Sequence, residues 1–369
     1  MIRNLALACV LTLAPAALVP LAQQAPREAP APAVKDFARY DELFDDFDAR
    51  RKVLITRFER LQQAQRVDPE ELRKAEGELV ALDREYAAAL RRYIDTHAGA
   101  KDLMPARFEL CVTLSRLEDR LADAVAAADE FLKNHPDAEL VPDARFVRAQ
   151  TLFRMPGRED DALAALELFI EKHPERQDAD AARMMRVRAL LFLNRVADAR
   201  RSLEALVKSD RVRNDKEARA FLQAQLDALD WIGRDLPAFD LKAADGKPAT
   251  SGELAGKPAL VFVWDTTSSA CLGELPFVQE LHRRHADRIN VIGISVNESQ
   301  AAFEQWLVRN AESVKFRNAW VDREAENTLV RKLAVSVIPF NILVDANGKV
   351  WRYDVRSDDL LRYAERLAK

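Results

Sequence analysis

The sequence predicts an α plus α/β chain: a helical N-terminal region and, from Trp231 to Lys369, an α/β domain. Three observations carry that reading. Between Lys35 and about His97, apolar residues recur at three- and four-residue spacing, the period of helices with one buried face. Between Leu103 and Asp210 an alanine-rich helical pattern repeats, with Phe131, Phe169 and Leu206 in equivalent places. Past Gly233 and Pro237, short apolar runs alternate with amphipathic stretches, as a sheet covered by helices requires.

Within 369 residues there is room for two or three domains, and a 49% hydrophobic composition suffices for their cores. The formal net charge of −4 comes from interspersed acids and bases, which excludes the electrostatic footprint of a nucleic-acid or anionic-membrane binder. Residues 1–22, MIRNLALACVLTLAPAALVPLA, combine Arg3, a long apolar run and a small-residue, proline-rich end, so they read as a secretory signal peptide. Cleavage after Ala16 and cleavage after Ala22 both fit. Ala6-Leu7-Ala8 is a poor lipobox for Cys9, and Pro15 and Pro20 would break a spanning helix, so export outranks retention on an uncleaved anchor. The expected location is the periplasm or the extracellular space, with no integral membrane span in the mature chain. Two cysteines then remain, Cys111 and Cys271, in different predicted domains, and both read as free thiols.

Residues 23–35 are a Pro/Ala-rich linker. A helical hairpin is expected over 36–98, with Phe37, Tyr40, Leu43, Phe44 and Phe47 along one arm and Leu72, Leu79, Leu82, Tyr86 and Leu90 along the other. Between the arms, Asp68-Pro69-Glu70-Glu71 offers an N-cap, a proline at the first helical position and first-turn acids. Over 100–230 the repeats follow. ADEFLKNHP (Ala128 to Pro136) matches LELFIEKHP (Leu166 to Pro174), each unit opens on a helix such as DARFVRAQTLF, and turns fall at Met155 to Arg158 and Asn194 to Val196. This resembles a tetratricopeptide-like array of about three units that lacks the usual Trp, Gly and Tyr positions. The resemblance implies stacked helix pairs that present a groove to a protein partner. A last helix is expected from Asp215 to about Trp231.

In the C-terminal domain, 231–369, the apolar run PALVFVW leads into WDTTSSACLGELP, Trp264 to Pro276. VIPFNILVDANGKV carries Pro339 and a D-x-x-G turn at Asp345 to Gly348, and LPAFDLKAADGKPATSGELAGKP an Asp245-Gly246 hairpin turn. On these residues the domain resembles the envelope thioredoxin-like family of TlpA and ResA type. The resemblance implies a thioredoxin-like α/β fold with Trp264 ending the first central strand. It puts the family's C-x-x-C on Ser268 and Cys271, its glutamate on Glu274, its helix-kinking proline on Pro276 and its cis-proline on Pro339. The backbone beside that proline would pair with an extended peptide, in a groove formed by Trp264, Thr267, Ile338 and Pro339. The resemblance implies neither a cofactor nor a metal. Three residues depart from the pattern: Ser268 replaces the first cysteine, Thr267 the aromatic before it, and Leu272 the basic residue after the second cysteine.

The first of these departures bears on chemistry. Disulfide exchange needs a thiolate to attack and a second thiol to resolve the mixed disulfide, and Ser268 supplies neither. Its expected role is to cap the helix. Cys271 then has two readings, a packed inert thiol or a monothiol nucleophile at a helix N-terminus. Ser268-x-x-Cys271-x-x-Glu274 also resembles the T/S-x-x-C-x-x-E element of peroxiredoxins, although Trp264 stands where those place a proline and Pro339 where many place an arginine. Glu274 could relay a proton or serve the helix dipole. Cys111 reads as core, His135 and His173 as helix-end residues before prolines, and His282 and His285 as a pair without further metal ligands. The function expected is that of an exported thioredoxin-like protein with a degenerate Ser-x-x-Cys site, binding or scaffolding protein partners in envelope redox or assembly. The alternative is a monothiol thiol-disulfide oxidoreductase or thiol peroxidase acting through Cys271.

Overall fold

The structure, a computed structural model, describes residues 36–62, 69–322, 329, 331–333, 335 and 337–369. The expected signal peptide, linker, Cys9 and Asp68 lie outside those residues. The chain divides into two compact units, one ending at Ala199 and one beginning at Arg200. The sequence suggests a boundary near Trp231 instead. In the structure the stretch before that tryptophan goes with the second unit, where Arg200 pairs with Asp230 and Trp231 stacks on Tyr353 at 5.2 Å.

The first unit opens on two long helices, α1 (Tyr40–Gln62) and α2 (Pro69–Thr96). Their shared core includes Leu43, Phe47, Leu82, Tyr86 and Leu90, with Phe47 stacked on Tyr86 at 4.6 Å. Helices α3 (Leu103–Ser115), α4 (Leu121–Asn134), α5 (Val141–Arg154), α6 (Glu159–Lys172) and α7 (Asp178–Phe192) follow, and α8 (Val196–Lys208) spans the division. The repeat read in the sequence recurs in the contacts. Phe108 meets Phe131 at 5.8 Å as Phe146 meets Phe169 at 5.0 Å, and Arg148 pairs with Asp129 as Arg186 pairs with Glu167. Buried Ala106, Ala128, Ala144, Ala162 and Ala182 place small side chains where neighbouring helices pack.

The second unit continues with α9 (Asp210–Arg213) and α10 (Lys216–Leu229), the latter capped by the Asp215 carboxylate, which accepts from the Ala218 N–H at 2.9 Å. A hairpin of β1 (Asp240–Lys242) and β2 (Pro248–Thr250) precedes a five-stranded sheet ordered β5-β4-β3-β6-β7. Strands β3 (Ala259–Trp264), β4 (Asn290–Ser295) and β5 (Arg317–Trp320) are parallel, while β6 (Phe340–Val344) runs antiparallel to β3 and β7 (Val350–Tyr353) antiparallel to β6. Helices α11 (Ser269–His285), α12 (Gln300–Arg309) and α13 (Ser357–Leu367) complete a thioredoxin-like domain. β3 is buried along its whole length because both faces are covered, which accounts for its unbroken apolar run. Both outer edges of the sheet are covered by the segment that leads into it: Gly233 and Arg234 bond to Val350 of β7, and the Ala244 N–H donates to the Asn318 carbonyl of β5 at 2.7 Å. Among the described residues no helix is long and apolar enough to cross a membrane.

Candidate functional site

The site lies where β3 ends and α11 begins, the place a parallel strand–turn–helix offers a helix N-terminus. Trp264, the last residue of β3, is wholly buried against Phe262, Phe303 and Trp306, and its indole N–H donates to Asn318 Oδ1 at 3.2 Å. That bond crosses over Gly293 on β4, where an added Cβ would lie 2.1 Å from the Asn318 oxygen and 2.9 Å from the indole nitrogen. Glycine is therefore required there for the bond to exist.

The connecting loop is held by a polar network that nothing in the sequence motif announces. Asp265 Oδ1 accepts from the Thr267 N–H at 2.6 Å, the Thr267 hydroxyl at 2.7 Å and Asn297 Nδ2 at 2.9 Å. Asn297 also donates to the Thr266 hydroxyl, and its Oδ1 accepts from the Thr266 N–H and the Ser295 hydroxyl. The Trp320 indole then donates to the Asn297 carbonyl at 2.7 Å. Asn297, 5% exposed, thus ties the loop to the end of β4 with its amide fully used. The only sequence signal for it was its place just past a buried strand, on the edge of the sheet where β3 also ends.

Ser268 is the N-cap of α11, its Oγ accepting from the Cys271 N–H at 3.3 Å. Cys271 has no exposed surface. Burial raises its thiol pKa, opposed by hydrogen bonds from Ser268 and the Asp265 backbone and by the positive charge of Arg356. Cys111, the other free thiol, is buried in the first unit, donates to the Arg107 carbonyl at 3.1 Å and is pushed up to about 12 by burial.

Glu274 is 4% exposed and committed to other elements. Its Oε1 accepts from Asn341 Nδ2 of β6 at 2.8 Å and from the Ser357 N–H at 2.9 Å, and its Oε2 from the Ser357 hydroxyl at 3.2 Å. It thereby joins α11 and β6 to the first turn of α13. Burial raises its pKa, against those hydrogen bonds and the charge of Arg356, which lower it.

The Ile338–Pro339 peptide is cis, and the register that sets Phe340 opposite Val263 brings Pro339 beside the end of β3. Of the four residues assigned to a groove, Trp264 and Pro339 are buried, Ile338 is half-buried and Thr267 is exposed. Trp264 accordingly backs the site from inside the core and offers a ligand no surface, because its ring is needed to fill the space between β3 and α12. Two exposed apolar side chains not assigned to the groove adjoin its segments in sequence, Leu272 after Cys271 at 40% and Val337 before Ile338 at 59%. Among the described residues no group of His, Cys, Asp and Glu comes together as a metal site.

Residues 232–364 match the family model described as Redoxin. Thiol:disulfide interchange protein DsbE of Pseudomonas fluorescens biotype C is 33% identical over 122 residues, covering 32% of this chain and 64% of that protein. Its counterpart in Pseudomonas aeruginosa is 32% identical over 137 residues, covering 33% and 71%. Thiol-disulfide oxidoreductase ResA of Bacillus thuringiensis is 26% identical over 120 residues, covering 32% and 66%. The chain thus spans about two thirds of the length of these relatives.

Proposed function

Since this chain belongs to the redoxin family through its C-terminal domain, yet sets one buried thiol where exchange needs two, we propose that the domain binds protein rather than exchanging disulfides. The observation that carries this reading is Cys271, without exposed surface and with a raised pKa, beside a Ser268 already spent as a helix cap. The relatives' names describe thiol:disulfide interchange, which requires one thiolate to form a mixed disulfide and another to break it. Cys111 is buried in the other unit and does not provide the second. Thr267, Leu272, Val337 and Ile338 are the exposed or half-buried residues around the motif that a partner would meet, and the helical repeats are the second binding region. The signal-like N-terminus makes the cell envelope the setting.

A thiol titration against pH on the native protein, run beside an insulin-reduction assay, tests this. Cys271 should react only after unfolding, and insulin should not be turned over. Turnover that vanishes in Cys271→Ala would overturn the binding reading in favour of a monothiol oxidoreductase or peroxidase. That second reading draws on the Ser268 hydrogen bond and the Arg356 charge, both of which lower the thiol pKa against burial.

A further inference from the structure

The helical unit repeats its arginines as well as its helices. Arg107, Arg145 and Arg183 stand at equivalent places on α3, α5 and α7, the opening helices of successive pairs. Arg107 pairs with Glu130 on α4 at 2.5 Å, and Arg183 pairs with Asp180 at 2.5 Å. In the middle pair the counterpart of Glu130 is Leu168, which is 45% exposed. Matching contacts, Phe108 with Phe131 and Phe146 with Phe169, set the two helix pairs in the same way, so by the repeat Leu168 holds the position relative to Arg145 that Glu130 holds relative to Arg107.

Arg145 consequently pairs with no carboxylate among the described residues, and its Nη1 lies 3.0 Å from His173 Nε2. A guanidinium has only donors and stays charged, so the imidazole nitrogen must accept and the ring must be neutral. Burial, then the charges of Arg145 and Arg176, lower the His173 pKa in the same sense. A neutral acceptor is a weaker match for a guanidinium than the carboxylates at the two sister positions. Beside it an apolar side chain is left in water. The charge and the apolar surface are each half of a contact.

We infer that Arg145 and Leu168 form a docking point for a protein segment carrying Asp or Glu next to an apolar side chain. The partner's carboxylate takes the place Glu130 holds in the preceding pair, and its apolar neighbour covers Leu168. The inference rests on the binding role proposed above and names the chemistry of the partner for the helical region.

The test is selection of short random peptides displayed on phage against the full-length protein, followed by titration of synthetic copies. Selected peptides should share an acid beside Leu, Ile or Phe, and should bind Arg145→Glu and Leu168→Glu at least about tenfold more weakly. Leu168→Glu rebuilds within the chain the pair Arg107 makes with Glu130, so its melting temperature should not fall and its loss of binding cannot be put down to unfolding. On the wild type, bound peptide should shift the His173 imidazole nitrogen resonances as Arg145 leaves Nε2. Selection of no peptides, of peptides without an acid, or of peptides that bind Arg145→Glu equally well would overturn the inference. Insulin turnover bears on the binding reading alone and is scored separately.

Discussion

Ser268 Oγ accepts the Cys271 N–H at 3.3 Å, so the two positions of the family's dithiol motif are joined by a cap and not by a disulfide. Ser268→Cys should give up that cap and place a thiol where the helix dipole lowers its pKa by about a unit or more, roughly 1.4 kcal/mol per unit. The variant should form a disulfide with Cys271 and gain reductase activity with a suitable electron donor, read by thiol counting and insulin reduction. A folded variant with neither would mean that Thr267 and Leu272 belong to a remodelled surface. Ser268→Ala, which loses the cap alone, should cost about 0.5–2 kcal/mol in denaturant unfolding.

Asn297 should prove to be the residue that fixes the shape of the loop before α11. Asn297→Ala strips the Thr266 N–H and the buried Ser295 hydroxyl of their acceptor and takes one of three donors from Asp265 Oδ1, at about 1–3 kcal/mol for each buried group left unsatisfied. Hydrogen exchange should rise at the amides of Thr266 and Thr267 while β3 stays protected.

Glu274 has a pH signature whose sign follows from its burial. Its folded pKa is raised, so the folded state holds the proton more tightly than the unfolded chain does. This contribution is fully present below the unfolded carboxylate pKa and is lost as pH rises through the folded value. Measured as wild type minus Glu274→Gln, the stability difference should therefore move in favour of wild type as pH falls through that window. A difference that moves the other way would show that the Ser357 and Asn341 hydrogen bonds outweigh burial. Glu274→Ala should destabilise strongly at every pH, because Asn341 Nδ2 and the Ser357 N–H lose a buried acceptor.

Gly293→Ala should break the Trp264–Asn318 bond, since the new methyl would lie 2.1 Å from the Asn318 oxygen. Overpacking of this kind costs about 1–3 kcal/mol. Thermal melting and the emission of Trp264 should both report it, with Ala319 and Val263 substitutions to small residues as controls for general loosening of the sheet.

The sequence made the strands and helices of the C-terminal domain legible because each carried its own period. β3 showed an unbroken apolar run, and the helix cap at Ser268 showed the residue type that capping demands. The helical repeat was legible for the same reason, its spacing surviving as paired contacts at Phe131 and Phe169. What sequence could not show was which side chains meet across elements. Asn297 reaches Asp265, Glu274 reaches Ser357, and Trp264 is sealed beneath the site because distant segments converge there. Motif matching placed Glu274 by its distance from Cys271 along one helix, whereas its carboxylate is shared with another strand and helix.

The residues that cover both edges of the five-stranded sheet lie upstream of every strand in it. Synthesis proceeds from the N-terminus, so the covering segment has already left the ribosome before β5 and β7 appear. Each edge strand thus emerges to find its seal waiting, and at no stage of vectorial folding need a completed sheet stand open to the edge strand of a neighbouring molecule.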